Sequence, residues 1–189
     1  MPRTLVVCFS LFIALGFIPA AEALDITPSS PTPWTTNINS QINSDAAWWN
    51  AFAQFDPTLP NTLPDLLYKS DVGGGDSGPY ANAYDTSYSN TPSQPSDALI
   101  RYLGGFYMDC SVCYLLIKDG NQNPAQYLFD ISGWAGNEDI TITGFWPGNG
   151  SISNIRILGT ATRVPEPSTI ALLGFGITAL CVRRRRAAV

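Results

Sequence analysis

Hydrophobic residues follow three different patterns along this chain. Leu5–Ile18 and Thr169–Val182 are apolar runs without a charged residue. Between them, polar residues dominate as far as about residue 97, and after it apolar and polar residues alternate over short segments. Long apolar runs are typical of membrane or signal segments, whereas alternation is typical of β-strands. The pattern therefore predicts a β-rich domain between two apolar ends.

The stretch after residue 97 predicts most of the strands. Cys113–Lys118 is apolar on both faces, which is typical of a strand covered on two sides. Ala125–Ile131 is predicted to be the return strand, and alternation continues at Ile140–Thr143 and Ile155–Ile157. Short strands separated by turns rich in Gly, Pro and Asn predict a mainly β fold, an antiparallel β-sandwich of jelly-roll-like type.

The stretch before residue 97 predicts one short N-terminal helix and a long loop. Ser44 can cap a helix in which Trp48, Phe52 and Phe55 share one face, because they recur at i, i+4 and i+7. Val72–Asn90 is rich in Gly, Asp, Ser and Tyr and has no evident periodicity. We therefore predict a loop there.

The N-terminal run has the three regions of a secretory signal peptide. A positive charge at Arg3 precedes the apolar run, and Ala21-Glu22-Ala23 forms a small-x-small cleavage site. Cleavage after Ala23 leaves Leu24 as the first mature residue. We predict that residues 1–23 are a signal peptide handled by the Sec machinery and signal peptidase, and that residues 24–163 are exported. An uncleaved membrane anchor is the alternative.

The C-terminal run is shorter than a permanent transmembrane anchor usually is. Its 14 residues reach about 21 Å as a helix, against about 30 Å for the hydrocarbon core of a bilayer. The positive charges after it resist translocation and mark the cytoplasmic side. These charges are Arg183, Arg184, Arg185 and Arg186. We predict a transient transmembrane helix, with a buried helix of a soluble domain as the alternative.

The tail resembles the PEP-CTERM sorting signal of Gram-negative bacteria. The resemblance rests on a Pro-Glu-Pro element, the apolar run and the arginines. The element comprises Val164, Pro165, Glu166, Pro167 and Ser168. The resemblance implies that residues 164–189 are recognised and cleaved by exosortase, a membrane-embedded cysteine transpeptidase-like enzyme. It also implies that the protein is tethered transiently to the inner membrane and then located at the cell surface or in the extracellular matrix. There it would be associated with exopolysaccharide and biofilm.

A second resemblance covers Gly105–Gly159. The segments KDGNQNPAQYLFDISGW and ITITGFWPGNGSISNIRILG resemble an exported domain that many PEP-CTERM proteins contain and whose biochemical role is unassigned. This resemblance supports the sorting prediction. It implies no catalytic or binding residues.

The charge of the predicted exported domain excludes several partners and reactions. Between Leu24 and Arg163, 13 acidic and five basic residues give a net charge of −8, against −5 for the whole chain. A basic stripe is missing, so nucleic acid is not an expected partner. The chain contains no histidine, which excludes Ser-His-Asp and Cys-His catalysis and any zinc site with a histidine ligand.

Cys110 and Cys113 are the two cysteines of the predicted exported domain. Nearby thiols tend to pair in an oxidising periplasm, so we predict a local disulfide. Because the loop that it closes is short, its effect on stability is expected to be small. Free thiols and a redox-active pair are the alternatives.

Two groups of side chains are candidates for ligand binding. Asp71, Asp76 and Asp85 offer hard oxygen ligands in a Gly-rich segment, which suits Ca²⁺; a solvated acidic loop is the alternative. Trp134 and Trp146 lie beside turns and are expected to be exposed and able to stack on sugars, unless they fill the core.

Acidic residues of the second half could in principle catalyse glycoside hydrolysis, which needs two carboxyls at a defined separation. They are Asp109, Asp119, Asp130, Glu138 and Asp139. Spacing along the sequence does not establish that separation. We therefore expect a domain that is not an enzyme and has no cofactor apart from the Ca²⁺ candidate. A carbohydrate-binding module that acts on exopolysaccharide is the alternative.

Overall fold

The computed structural model describes residues 23–29, 33–36, 45–90, 94–119, 122–148, 150–165 and 176. Over these residues the chain forms one helix and ten strands. In chain order they are β1 (Leu24–Ile26), β2 (Trp34–Thr36), α1 (Asp45–Phe55), β3 (Asp65–Asp71), β4 (Gly75–Ser77), β5 (Tyr84–Ser89), β6 (Asp97–Tyr102), β7 (Phe106–Lys118), β8 (Gln126–Asp130), β9 (Ile140–Ile142) and β10 (Asn154–Pro165).

The strands form two sheets. A four-stranded sheet has the order β1-β9-β6-β5, and a six-stranded sheet has the order β2-β8-β7-β10-β3-β4. The prediction of a mainly β fold with one short helix is therefore confirmed. An all-antiparallel arrangement is wrong at one pair, because β1 runs parallel to β9. These two strands are far apart in the chain, so no tight hairpin fixes their relative direction.

The two sheets share one hydrophobic cluster. Ile100 and Ile142 of the four-stranded sheet are fully buried in it together with Leu115, Phe129 and Ile155 of the six-stranded sheet. Each sheet therefore covers the inner face of the other. This burial of apolar surface is the main favourable contribution to folding.

A second, smaller cluster lies on the outer face of the six-stranded sheet. Trp49 and Phe52 of α1 pack there against Leu116 of β7, Leu128 of β8 and Leu158 of β10. The Cys113–Lys118 part of β7 is thus apolar on both faces, as predicted, whereas the strand itself begins earlier, at Phe106. Phe52 is buried, as expected of the predicted helix face; the side chains of Trp48 and Phe55, and the predicted cap Ser44, lie outside the described residues.

Hydrogen bonds at the end of α1 fix the helix to the sheet. Asp56 accepts hydrogen bonds from the backbone N–H and hydroxyl of Thr58 and, at 2.6 Å, from the indole N–H of Trp34 in β2. These bonds hold the pKa of the Asp56 carboxyl below its usual value, with the Thr58 hydroxyl as the largest cause. The indole of Trp49 donates to the carbonyl of Pro60 at 2.8 Å.

The prediction of a loop over Val72–Asn90 is wrong, because β4 and β5 lie within it. Tyr84, Thr86 and Tyr88 of β5 point inward and alternate with exposed residues. This is the period of a strand, but the polar composition conceals it. Tyr80, before β5, is also buried, so the tyrosines of this segment pack inside the fold instead of lining a polar loop.

Burial of these tyrosines is matched by hydrogen bonds. The hydroxyl of Tyr84 donates to the carbonyl of Gly136 at 2.6 Å and accepts from the N–H of Met108. The hydroxyl of Tyr88 donates to the carbonyl of Ser70 at 3.0 Å. Burial raises the pKa of Tyr84, and it raises that of Tyr88 to about 12.

Strand β10 pairs with β7 over its whole length, from Asn154 opposite Lys118 to Pro165 opposite Phe106. Its pairing with β3 ends at Gly159. Among the described strands, Thr160–Pro165 therefore pairs only with Phe106–Val112. We call these two segments, together with the pair Gly159 and Cys113 that joins them to the rest of the sheet, the terminal ribbon.

The terminal ribbon begins at a glycine that the packing requires. Gly159 lies opposite Cys113, and a Cβ atom placed on it would lie 2.1 Å from the carbonyl oxygen of Val112 and 2.9 Å from the Cys113 sulfur. Both distances are shorter than van der Waals contact allows. A larger residue would therefore separate β10 from β7.

We expect the substitution Gly159→Ala to lower the free energy of unfolding by about 2 kcal/mol, the usual cost of overpacking a core position. Gly133→Ala is the matched control, because a Cβ atom there meets nothing within 4 Å, and we expect a change of less than about 0.5 kcal/mol. Urea unfolding of both variants measures the difference. Equal losses would contradict the close approach of the two strands.

Candidate functional site

The predicted disulfide between Cys110 and Cys113 is present within β7. Its two Cα atoms are 5.5 Å apart, whereas three residues of a regular strand span about 10 Å. A bulge at Ser111 shortens the strand here, since Val112 pairs with Thr160 and Cys110 with the next residue, Ala161. The disulfide therefore lies inside the terminal ribbon and stabilises its bulge.

The three candidate calcium ligands come together at one cavity. Asp71, Asp76 and Asp85 line a space of about 210 Å³ beside the turn between β3 and β4. Asp71 forms an ion pair with Lys69 at 2.6 Å, and Asp76 accepts a hydrogen bond from the N–H of Thr86. In the part of the chain that the structure describes, no group of three or more Asp, Glu, Cys or His side chains is close enough to hold a metal ion.

The expectation that Trp134 and Trp146 are exposed is wrong. Their exposed fractions are 5% and 8%. The indole of Trp134 donates to the carbonyl of Glu138 at 3.2 Å, and that of Trp146 donates to the carbonyl of Pro124 at 2.8 Å. Because each N–H has an internal acceptor, both rings can be buried without loss of a hydrogen bond. Both rings therefore pack inside the fold.

Two of the five candidate carboxylates accept hydrogen bonds from backbone N–H groups distant in the chain, whereas Asp130 accepts one at 2.9 Å from the N–H of nearby Ser132. Asp119 is buried and accepts at 2.7 Å from the N–H of Ser151. Asp139 accepts a hydrogen bond at 2.8 Å from the N–H of Tyr102, the last residue of β6. A third, Asp109, is exposed on the terminal ribbon.

The remaining two carboxylates, Asp130 and Glu138, line one cavity of about 440 Å³. Its other lining residues are mostly apolar: Ala23, Leu24, Ile26, Ile131, Gly133 and Trp134. The backbone N–H of Leu24 donates to the carbonyl of Asp139 at 2.9 Å and so fixes β1 at the cavity wall. The sequence gives no signal for this cavity, because the parallel pairing of β1 with β9 brings its two parts together.

The two residues on either side of the predicted signal cleavage site, Ala23 and Leu24, line this cavity. Leu24, the predicted first mature residue, is also the first residue of β1, and Ala23 precedes it. Ala21 lies outside the described residues. Cleavage after Ala23 would thus leave β1 complete.

The predicted sorting motif begins inside the sheet. Val164 and Pro165 are the last residues of β10 and pair with Tyr107 and Phe106. The guanidinium carbon of Arg163 lies 3.6 Å from the centre of the Phe106 ring, a cation–π contact. Three motif residues and the four arginines lie outside the described residues: Glu166, Pro167, Ser168, Arg183, Arg184, Arg185 and Arg186.

Among the described residues, no helix combines enough length with enough hydrophobicity to cross a bilayer. Most of the apolar run Thr169–Val182 lies outside these residues.

Comparison with known protein families gives a match at the C-terminal tail. Residues 163–186 match the PEP-CTERM protein-sorting motif, from Arg163 near the end of β10 to the last of the four arginines. Neither the search of curated proteins nor that of solved structures gives a match. The motif supports exosortase-dependent sorting of a secreted or cell-surface protein. The C-terminal tail of this chain is therefore a PEP-CTERM sorting motif.

Proposed function

We propose that this chain is a cell-surface or extracellular-matrix protein whose β-sandwich domain, residues 24–163, is delivered by exosortase cleavage of its C-terminal signal. The observation that carries the proposal is the match of residues 163–186 to the sorting motif. In this proposal the apolar run Thr169–Val182 tethers the domain transiently to the inner membrane. The delivered domain then associates with exopolysaccharide in a biofilm matrix.

The position of the motif relative to the strands supports this order of events. Strand β10 ends at Pro165, so cleavage on its C-terminal side leaves every described strand in the product. At the other end, signal peptidase cleavage after Ala23 leaves β1 complete. Both processing steps thus preserve the described fold.

A non-enzymatic role agrees with the charge and side chains of the domain. The chain has no histidine, and Asp119 and Asp139 accept backbone hydrogen bonds that the fold needs. The net charge of −8 over residues 24–163 makes direct attraction to an anionic polysaccharide unfavourable. We therefore propose that the domain is a structural component of the matrix.

The sorting proposal is tested with Glu166→Ala in cells that contain exosortase. We expect the wild-type product to lose Arg183–Arg186, whereas the variant keeps them and stays in the inner-membrane fraction, because the Pro-Glu-Pro element is disrupted. Intact-mass spectrometry after cell fractionation measures both outcomes. Asp109→Ala is the control: it removes an exposed carboxylate of the terminal ribbon, outside the motif, and should be processed normally. Wild-type protein that retains its arginines would contradict the proposal.

The cavity beside β1 favours carbohydrate binding as a second candidate function. Asp130 and Glu138 can accept hydrogen bonds from sugar hydroxyls, and the apolar side chains of Leu24 and Ile131 can contact a sugar ring. Pockets with an apolar lining and a few polar groups are typical binding sites for small molecules. This candidate is compatible with the proposed sorting, since it concerns only what the delivered domain binds.

Affinity electrophoresis in gels that contain exopolysaccharide of the producing cells tests this candidate. We expect the wild-type domain to be retarded and the double variant Asp130→Asn/Glu138→Gln to lose most of the retardation, about a tenfold loss of affinity, because the amides replace two charge-assisted hydrogen bonds by weaker neutral ones. Asp65→Asn, at an exposed position of β3, is the control and should behave as wild type. Unretarded wild-type protein would contradict carbohydrate binding and leave the sorting proposal intact.

A further inference from the structure

The described domain ends close to the segment that we propose to enter the bilayer. Strand β10 is paired as far as Pro165, and the apolar run begins at Thr169. The four Cα-to-Cα steps between these residues span at most about 14 Å, even when fully extended. While the tail is inserted, the end of the domain that carries Pro165 must therefore lie within this distance of the membrane surface.

We call this part of the domain the exit end and define it as the turn Leu103–Phe106 together with Arg163–Pro165. Gly104 and Gly105 form the turn with φ angles of 92° and 90°, which favour glycine. The N–H of Leu103 donates to the carbonyl of Ala83 at 2.9 Å, so the turn is held to the body of the domain. Pairing of Phe106 with Pro165 joins the two segments.

An exposed apolar side chain lies at this end of the described domain. Among the described residues, two large hydrophobic side chains are exposed: Leu103, by 55%, and Val112, by 40%. Leu103 lies in the turn of the exit end, and Val112 lies on the terminal ribbon that leads to it. A single exposed apolar side chain needs no explanation. Leu103, however, lies on the part of the domain that the tail brings nearest to the bilayer, whereas Val112 lies six residues along β7 from Phe106.

Arg163 and Phe106 add the two other side-chain types that suit a bilayer surface. Phenylalanine is typical of apolar faces that lie in a membrane interface, and arginine can extend its charged group to lipid phosphates while its stem covers apolar surface. Because the exported domain carries a net charge of −8, most of its surface is repelled by anionic lipids. A contact between the domain and the bilayer is therefore favoured in one orientation, with the exit end toward the lipid.

We propose that the exit end rests on the surface of the lipid bilayer into which the tail inserts. Leu103 enters the boundary between headgroups and acyl chains, and Arg163 contacts lipid phosphates. This inference rests on the proposed membrane insertion of the tail. Its consequence is that exosortase, a membrane-embedded enzyme, meets a motif whose first residues, Val164 and Pro165, are still paired in β10.

Tryptophan quenching in phosphatidylcholine vesicles with brominated acyl chains tests this contact on the full chain. Three single variants carry an added reporter: Leu103→Trp at the exit end, Phe175→Trp in the tail and Ser77→Trp in β4. Ser77 pairs with Lys69 of β3, which in turn pairs with Arg156 of β10. Arg156 precedes Pro165 by nine residues, so Ser77 lies about 30 Å from the exit end along the strand direction. The parent chain supplies the background of its five tryptophans.

We expect the added fluorescence of Leu103→Trp to fall about twofold in brominated vesicles, as for an interfacial residue, and that of Phe175→Trp to fall further. Ser77→Trp should be unchanged. Quenching of Phe175→Trp without quenching of Leu103→Trp would overturn the contact and leave tail insertion intact. Equal quenching of Leu103→Trp and Ser77→Trp would overturn the preferred orientation. If Phe175→Trp is not quenched, tail insertion fails, and the proposed contact fails with it.

Discussion

The pairing of β7 with β10 is the interaction on which the other parts of this molecule depend. These strands lie side by side within the six-stranded sheet, and each contributes side chains to both of its faces: Leu115 and Ile155 to the cluster between the sheets, Leu116 and Leu158 to the cluster under α1. Because the same two strands support both clusters, a change that separates them exposes apolar surface on both faces at once. Gly159, where no Cβ atom fits, lies at the centre of this pairing.

The same strand pair also connects the folded domain with its sorting signal. Beyond Gly159 the pair continues as the terminal ribbon, which contains the disulfide of Cys110 and Cys113 and ends at Pro165. A covalent bridge across the bulge restricts the ribbon where β3 no longer supports it. The domain therefore presents its motif at the end of a strand that is itself part of the core. This placement explains how one segment can serve both the fold and the delivery of the protein.

Several elements could be predicted from the sequence because their apolar pattern is local. Strands β7, β8 and β9 follow from continuous or alternating apolar residues, and the disulfide follows from two nearby cysteines in an exported segment.

Strand β5 could not be predicted, because its inward residues are tyrosine and threonine in a polar context. Burial of Trp134 and Trp146 depends on carbonyl acceptors that only the folded chain supplies. The cavity of Asp130 and Glu138 depends on the pairing of β1 with β9, which lie far apart in the sequence and whose direction no local turn determines. The sorting motif, by contrast, is a contiguous signal and needs no fold to be identified.

Hydrogen–deuterium exchange of the backbone amides of β10, read residue by residue, tests the central role of the β7–β10 pairing most directly. Amides in paired core strands exchange only through large opening of the structure, whereas those of fraying ends exchange almost freely. A central role of this pairing predicts strong protection at Ile155–Leu158 and continued protection at alternate amides of residues 160–164, where the strand pairs only with β7. Exchange of residues 160–164 at the rate of an unfolded chain, beside a protected Ile155–Leu158, would contradict it.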